Sequence, residues 1–292
     1  MFKAVSSPYL VPFDGTFVQS KAPTKPPKNV ADKNARKVRL AELVAELAPL
    51  QHILYAHSQH SVLLVFQAMD AAGKDSTIRA VLSGVDPAGC EVTSFKRPSE
   101  TELAHDFLWR TTQHLPQRGH IGVFNRSYYE EVLAVRVHPD FLTPQNLPFR
   151  PKKLEDLWRQ RYDSIREHEH HLARNGTVIL KFWLNVSRDE QRDRLLARLD
   201  EPAKNWKFEY GDLSERAKWK DYMSAYQDAL NATSRPHAPW YAIPADSKSF
   251  MRMTVADILV RTLKSLDLKY PKLEKEELAK FDEMKAQLLK GK

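Results

Sequence analysis

The 292-residue chain contains a single cysteine, Cys90. One thiol excludes an internal disulfide framework and any multi-cysteine metal centre, and it favours a reducing compartment. A small apolar residue beside a strand is a better account of Cys90 than a nucleophile. Long apolar runs are missing too: Val62–Phe66 is the longest obvious one, far short of the roughly 18 residues that suggest a membrane span. The N-terminus has no apolar core of a secretory signal, so a cytoplasmic protein with no membrane partner is expected. No internal repeat and no Gly/Ser linker divides the chain. A one-signed charge is absent from the body as well. The net charge is +8, but residues 1–37 hold seven Lys/Arg against two acids and residues 264–292 hold eight Lys against six acids. The region between is nearly neutral, which argues against a uniform nucleic-acid-binding face.

What is present is an ordinary globular composition, 42% hydrophobic and 28% charged, sufficient for a sizeable core in one large α/β domain or two modest ones. Residues 1–35 are rich in Pro, Lys and Ser, with Pro23, Pro26 and Pro27 clustered, and read as an extended basic N-terminal arm. Its cations serve either as solvated linker or as a phosphate-binding surface. Residues 36–292 read as one domain that ends in a C-terminal helix. Leu40, Leu43, Val44, Leu47, Ile53 and Leu54 recur at helical steps, with a kink expected at Pro49. Apolar runs then follow at Val62–Phe66, Glu91–Phe95, Ile121–Phe124, Val178–Leu184 and, more weakly, Trp240–Ile243. They lack clean polar alternation, as strands buried on both faces do. Ser99 to Glu102 and Ser187 to Glu190 match the S-x-x-E capping box. This alternation implies an α/β fold with a parallel sheet, helices on both faces and ligands at the carboxyl ends of the strands. The cluster Glu167, His168, Glu169, His170 and His171 completes no zinc motif and is expected on a solvated surface.

The most informative stretch runs from Ser61 to Thr77. A buried strand enters a loop of small residues, Ala68-Met69-Asp70-Ala71-Ala72-Gly73, and Lys74 opens a helix continuing Asp75-Ser76-Thr77. A helix start offers unpaired N–H groups and the positive dipole end, so phosphate is stabilised there, and a lysine in the first turn adds a point charge. This is the physical content of the G-x-x-x-x-G-K-[ST] loop. Ala68 stands where the first glycine belongs, so the loop must manage without positive φ at that position. Asp75 stands where the Mg²⁺-binding hydroxyl belongs. Asp70 lies inside the loop, where a carboxylate suits either a bound Mg²⁺ or an Asx-type turn.

A later strand ends in Phe124-Asn125-Arg126-Ser127-Tyr128-Tyr129-Glu130, with an Arg suited to bidentate phosphate contact. Together with Asp70-Ala71-Ala72-Gly73-Lys74-Asp75, this segment resembles the two signatures of the polyphosphate kinase 2 family. Phe95-Lys96-Arg97-Pro98, Lys181-Phe182-Trp183-Leu184, Asn205-Trp206-Lys207 and Ala238-Pro239-Trp240-Tyr241 extend the likeness over about residues 40–267. The resemblance implies a three-layer P-loop kinase fold with a parallel central sheet, thymidylate-kinase-like, with a helical lid at about residues 187–212. It further implies Mg²⁺, a homo-oligomer, and reversible phosphoryl transfer between inorganic polyphosphate and adenine or guanine nucleotides. Ala68, Asn125 and Glu130 depart from most of the family and resemble a subgroup that accepts both AMP and ADP.

On this reading Asp70, Lys74 and Arg126 are the catalytic candidates. Met69, Ala71, Ala72, Gly73, Asp75, Ser76, Lys96, Arg97, Asn125 and Glu130 are candidates for binding phosphate or nucleotide, with Asp70 and Glu130 sharing the metal. Arg194 and Arg198 share a helix face, Lys204 and Lys207 flank Trp206, and these four are the expected lid cations for polyphosphate. Acids are interleaved with them, so a solvated helix with internal ion pairs is the competing description. An ATP-dependent nucleoside or nucleotide kinase shares fold and loop. A nucleic-acid-binding module using the basic arm is the alternative of another class; the leading reading has no nucleic-acid partner and expects arm deletion to leave catalysis largely intact.

Overall fold

The structure is a computed structural model that describes residues 1–290. Strands β1 (Ser61–Gln67), β2 (Cys90–Ser94), β3 (Ile121–Asn125), β4 (Thr177–Asn185) and β5 (Trp240–Pro244) form one sheet in the order β2-β3-β1-β4-β5, every neighbouring pair parallel. The helices are α1 (Lys33–His57), α2 (Lys74–Val81), α3 (Glu100–Leu103), α4 (Trp109–Thr112), α5 (Ala134–Val137), α6 (Leu154–Arg174), α7 (Arg188–Asp200), α8 (Gly211–Ala217), α9 (Trp219–Thr233), α10 (Lys248–Lys264) and α11 (Lys275–Lys290). One group of helices joins α1, α2 and α10, and another joins α6 and α9 with α6 against β4. The apolar runs of β1, β4 and β5 are buried along their length, as central parallel strands require. β2 departs from that expectation: Glu91, Val92 and Ser94 are exposed because it is an edge strand with one neighbour.

Local signals explain the element ends. Asp32 caps α1 by accepting from the N–H groups of Asn34 and Ala35, and Ser58 closes it in the left-handed region. Pro49 lies inside α1 without ending it. Ser99 and Glu102 form both bonds of the capping box, although α3 is a single turn. At Ser187 only half the box forms. Its hydroxyl accepts from the Glu190 N–H, while the Glu190 carboxylate goes to Arg194 Nε at 2.8 Å.

The arm is extended, with a single 3₁₀ turn at Gln19–Lys21, but from Ala4 to Thr24 it is docked on the body. The Val11 N–H donates to the Trp240 carbonyl at 2.9 Å and the Ala242 N–H to the Tyr9 carbonyl at 2.8 Å, so the arm adds an antiparallel bridge to the edge of β5. Val11 is fully buried and Phe17 packs edge-on against Trp183. Farther along, Asn185 Nδ2 donates to the carbonyls of Ala22 and Pro23, and the Asp246 N–H donates to that of Thr24. These contacts sit at the foot of α7, where Asp246 accepts from the Ser187 N–H at 2.7 Å. The arm is therefore part of the folded body as well as extended. Deleting residues 1–24 uncovers the β5 edge and buried apolar surface, and a fall in Tm of about 5 °C or more is expected by calorimetry.

The predicted solvated cluster on α6 is also revised. Glu169 is fully buried, and His168 has a buried ring nitrogen without a partner. Nearby, His237 is held neutral: burial first, then His170, Lys181 and Arg235, bring its pKa down to about 4. The unfolded chain, with an ordinary imidazole, binds more protons between about pH 6.5 and 4, so this part of the stability is complete above that window and lost as pH falls through it. The Tm of a His237→Asn variant is accordingly expected to fall less than that of the parent between pH 7 and pH 5.

Candidate active site

The loop between β1 and α2 places two residues in the left-handed region, Ala71 (φ 60°) and Gly73 (φ 107°), while Ala68 does not need positive φ. The departure from the usual first glycine is thus accommodated without strain at that position, and an L-residue, Ala71, carries it instead. The φ of Gly73 is what makes position 73 a glycine site; a Cβ there would press only on the terminal methyl of Met251, at 3.2 Å. Lys74 Nζ donates to the Ala68 carbonyl at 3.0 Å, arching back over the loop. Burial and the adjacent Arg126 lower the Lys74 pKa from its ordinary value, against the opposing charges of Asp70, Glu130 and Asp75. An incoming phosphate would add a further anion and reinforce the ammonium form.

At the end of β3, Arg126 adopts φ 64° and its N–H donates to the Phe66 carbonyl, which pins it beside the loop. Its Nη2 bonds Asp70 Oδ1 at 2.8 Å and its Nη1 lies 3.5 Å from Glu130 Oε2. Glu130 first, then Asp70, raise the Arg126 pKa against the effect of burial. Asn125 Nδ2 donates to Asp75 Oδ1 at 2.5 Å. That bond accounts for the pair of unusual residues: an aspartate at 125 would set two carboxylates against each other, whereas asparagine supplies a donor.

A cleft of about 730 Å³ opens over these strand ends. Asp70, Ala71, Gly73, Lys74, Asp75, Ser76, Lys96, Arg97, Asn125, Arg126, Arg194, Arg198, Lys204 and Lys207 line it, together with Ser94, Phe95, Ala197, Glu209 and Lys248. Nine Lys/Arg side chains thus face three acids, a strongly cationic concavity inside a nearly neutral body. Three sequence candidates stand outside the lining. Met69 is 5% exposed and Ala72 1%, both packed in the core beneath the loop. Glu130, in the 3₁₀ turn Tyr128–Val132, lies against the Arg126 guanidinium at 3.5 Å and outside the lining, whose acids are Asp70, Asp75 and Glu209.

The four cations expected on a lid are not equivalent. Arg194 is buried beneath α7, and its donors are taken by the Ala72 carbonyl at 2.6 Å, the Ala245 carbonyl at 2.6 Å and Glu190. It buttresses the phosphate loop against the end of β5 instead of projecting a free charge. Arg198 is tied to Asp212 at 3.0 Å and Lys204 to Glu201 at 2.5 Å. Lys207 lies over the Trp206 ring. Lys248, which sequence reasoning missed, opens α10 just past the end of β5, and the rule that ligands gather at strand ends was the signal that would have found it.

Comparison with known proteins decides the family. Residues 30–271 match Polyphosphate kinase 2. The chain belongs to the polyphosphate kinase 2 family. The ADP-polyphosphate phosphotransferase of Rhodopseudomonas palustris is 53% identical over 270 residues, spanning 92% of this chain and 93% of its own. The AMP/ADP-polyphosphate phosphotransferase of Meiothermus ruber is 50% identical over 242 residues, 83% of this chain and 86% of its own. The crystal structure of Polyphosphate Kinase 2 from Arthrobacter aurescens TC1 superposes with a TM-score of 0.82 at 38% identity, covering 93% of this chain and 95% of that one. This polyphosphate kinase 2 chain accordingly has the P-loop kinase fold, with its loop and strand signatures brought together as the resemblance implied.

The donor set of the cleft also bears on metal binding. Among the described residues no group of three or more His, Cys, Asp or Glu gathers as a ligand cage. Asp70 and Asp75 nevertheless face the same space as the cations. Proteins commonly hold Mg²⁺ by one or two carboxylates, with waters and substrate phosphates completing the shell, so these two residues fit a hard divalent ion.

Proposed function

We propose that the chain transfers a phosphoryl group from inorganic polyphosphate to AMP and ADP, with adenine or guanine nucleotides as acceptors and Mg²⁺ as the metal. The observation that carries this reading is the pairing of Arg126 with Asp70 at 2.8 Å beside Lys74, in a cleft lined by nine Lys/Arg, all but Arg194 with charge to offer, and three acids. A donor without a base offers only repeated negative charge, and a wall of cations is the complement it needs. The names of the Rhodopseudomonas palustris and Meiothermus ruber relatives point the same way.

In the reaction an oxygen of the acceptor's terminal phosphate bonds to the end phosphorus of the chain, and the bridging P–O bond behind it breaks. Polyphosphate leaves one unit shorter. The bond broken and the bond formed are both phosphoanhydrides, whether AMP or ADP is the acceptor, so the step runs in either direction. The attacking oxygen is already anionic near neutral pH, and the protein's work is positioning and charge neutralisation. Lys74 and the loop N–H groups hold the phosphates around the transferred group. Arg126 faces the same oxygens from the end of β3. Lys96, Arg97, Lys207 and Lys248 form no ion pair among the described residues and are the cations with most freedom to follow a phosphate chain. Asp70 and Asp75 would hold Mg²⁺, which neutralises charge on the phosphates.

Self-assembly belongs to the same reading, as α11 exposes Leu278, Phe281, Met284 and Leu288, an apolar surface for a second copy to cover. No helix of the described residues is long and apolar enough to cross a membrane, and a cytoplasmic location is proposed with the nucleotide substrates.

The test incubates purified protein with Mg²⁺ and long-chain polyphosphate, first with ADP and then with AMP, and follows ATP and ADP formation. Product from both acceptors is expected. No product from either, or a strict need for ATP as donor, overturns the proposal.

A further inference from the structure

Beneath the Arg126 turn lies a polar cluster that the transfer chemistry does not touch. Glu169 of α6 and Lys181 of β4 are both fully buried and pair at 2.6 Å. Glu169 Oε1 accepts from the Tyr128 hydroxyl at 3.0 Å and from the Tyr129 hydroxyl at 2.9 Å. Lys181 Nζ also donates to the Tyr129 oxygen and to the Thr233 carbonyl, each at 2.9 Å. Burial first, then the Glu169 charge, hold both phenols well above their ordinary range, so they remain protonated donors.

A buried ion pair is a weak source of stability, since apolar replacement of both partners is often neutral or stabilising. Its directional bonds do what apolar packing cannot: they fix two phenols, and with them the register of the turn Tyr128–Val132. That turn begins just beyond Arg126, whose left-handed backbone persists only where the surroundings over-determine it. Ser127 joins the two, its hydroxyl oxygen accepting from the Tyr129 N–H at 3.1 Å and from Gln67 Nε2 at 3.2 Å. Arg126 is therefore held on one side by β1 and on the other by a turn anchored to α6 and β4.

We propose that Glu169, with Lys181, is a positioning residue for phosphoryl transfer, acting through the hydroxyls of Tyr128 and Tyr129 to set the Arg126 guanidinium. The proposal rests on Arg126 acting in the transfer. Small displacements of a catalytic cation are costly, on the order of 10²-fold for 1 Å.

The test is a double-mutant cycle. Tyr128→Phe/Tyr129→Phe keeps the rings and removes only the hydroxyls, and Tyr129→Phe alone serves if the double variant melts near the assay temperature. Each is measured for kcat and KM with polyphosphate and ADP, in the parent and in an Arg126→Ala background at high enzyme concentration. The expected result is a fall in kcat of about tenfold or more in the parent, a smaller change in KM, and less than about twofold further loss in the Arg126→Ala protein. Adding Glu169→Leu/Lys181→Met to the phenylalanine variant, which removes the pair together with the hydroxyls that bond it, is expected to leave the protein folded with the same kcat loss. Equal fold losses in both backgrounds would mean that the cluster only supports the fold, and would overturn the proposal. So would an unchanged kcat in the phenylalanine variants. Parent-like activity of Arg126→Ala by itself would instead remove the role of Arg126, and is distinguishable because it needs no second substitution.

Discussion

Lys74→Ala is expected to lower ATP formation from polyphosphate and ADP by about 10²–10³-fold, the loss typical of removing one preorganised donor from a transition state in which charge is redistributed. Lys74 Nζ reaches back over the loop to the Ala68 carbonyl and faces the space where the transferred group must lie. Its own carbon chain and a single backbone acceptor are all it gives to the fold. Burial and Arg126 already push its pKa down, a sign that the charge is held at a cost until an anion arrives. Lys74→Met, which keeps the stem and removes the charge, should therefore match or exceed the parent's Tm while losing the same activity. A coupled luciferase assay reads the rate and circular dichroism the melting curve. A Lys74→Ala protein with parent-like activity would remove the loop from the mechanism.

The separation of activity from stability at Lys74 parallels what was legible in the chain. Strands buried on both faces are contiguous apolar runs, so β1, β3, β4 and β5 announced themselves to within a residue or two at their ends. β2 was found as well, but not its exposure, because edge position is a property of the sheet order. The phosphate loop was legible because its chemistry is local: small residues, a lysine and a helix start. Features that depend on partners far along the chain were not. Arg194 and Arg198 share a helix spacing, yet one is buried against the Ala72 and Ala245 carbonyls and the other pairs with Asp212. Glu130 was read as a cleft carboxylate, and its pairing with Arg126 from the 3₁₀ turn, outside the cleft lining, depends on how that turn folds. Glu169 sat in a run of charged and imidazole side chains and read as surface, although the face of α6 that carries it is covered by β4 and by the Tyr128–Val132 turn. Proline and lysine in the arm signalled extension, and nothing local signalled that an extended segment would be captured by the edge of β5.

Asp70→Asn separates two duties of one carboxylate. The side chain accepts from Arg126 Nη2 through Oδ1, and on our reading it also holds Mg²⁺ among the substrate phosphates. Asparagine preserves the volume and an acceptor oxygen for Arg126 but removes the negative charge that makes a hard-cation ligand. If the metal is the principal duty, the rate at moderate Mg²⁺ should drop by about 10²–10³-fold, the Mg²⁺ concentration for half-maximal rate should rise at least about tenfold, and high Mg²⁺ should restore part of the loss. If Asp70 serves only to orient Arg126, the retained acceptor should leave the rate within about tenfold of the parent, with an unchanged Mg²⁺ requirement. Asp75 provides the control within the same cleft. It is bonded to Asn125 and not to Arg126, so Asp75→Asn should raise the Mg²⁺ requirement without disturbing the Arg126 pairing. A rise for both variants would place the ion between the two carboxylates. An unchanged Mg²⁺ requirement in both would exclude the pair as its ligands.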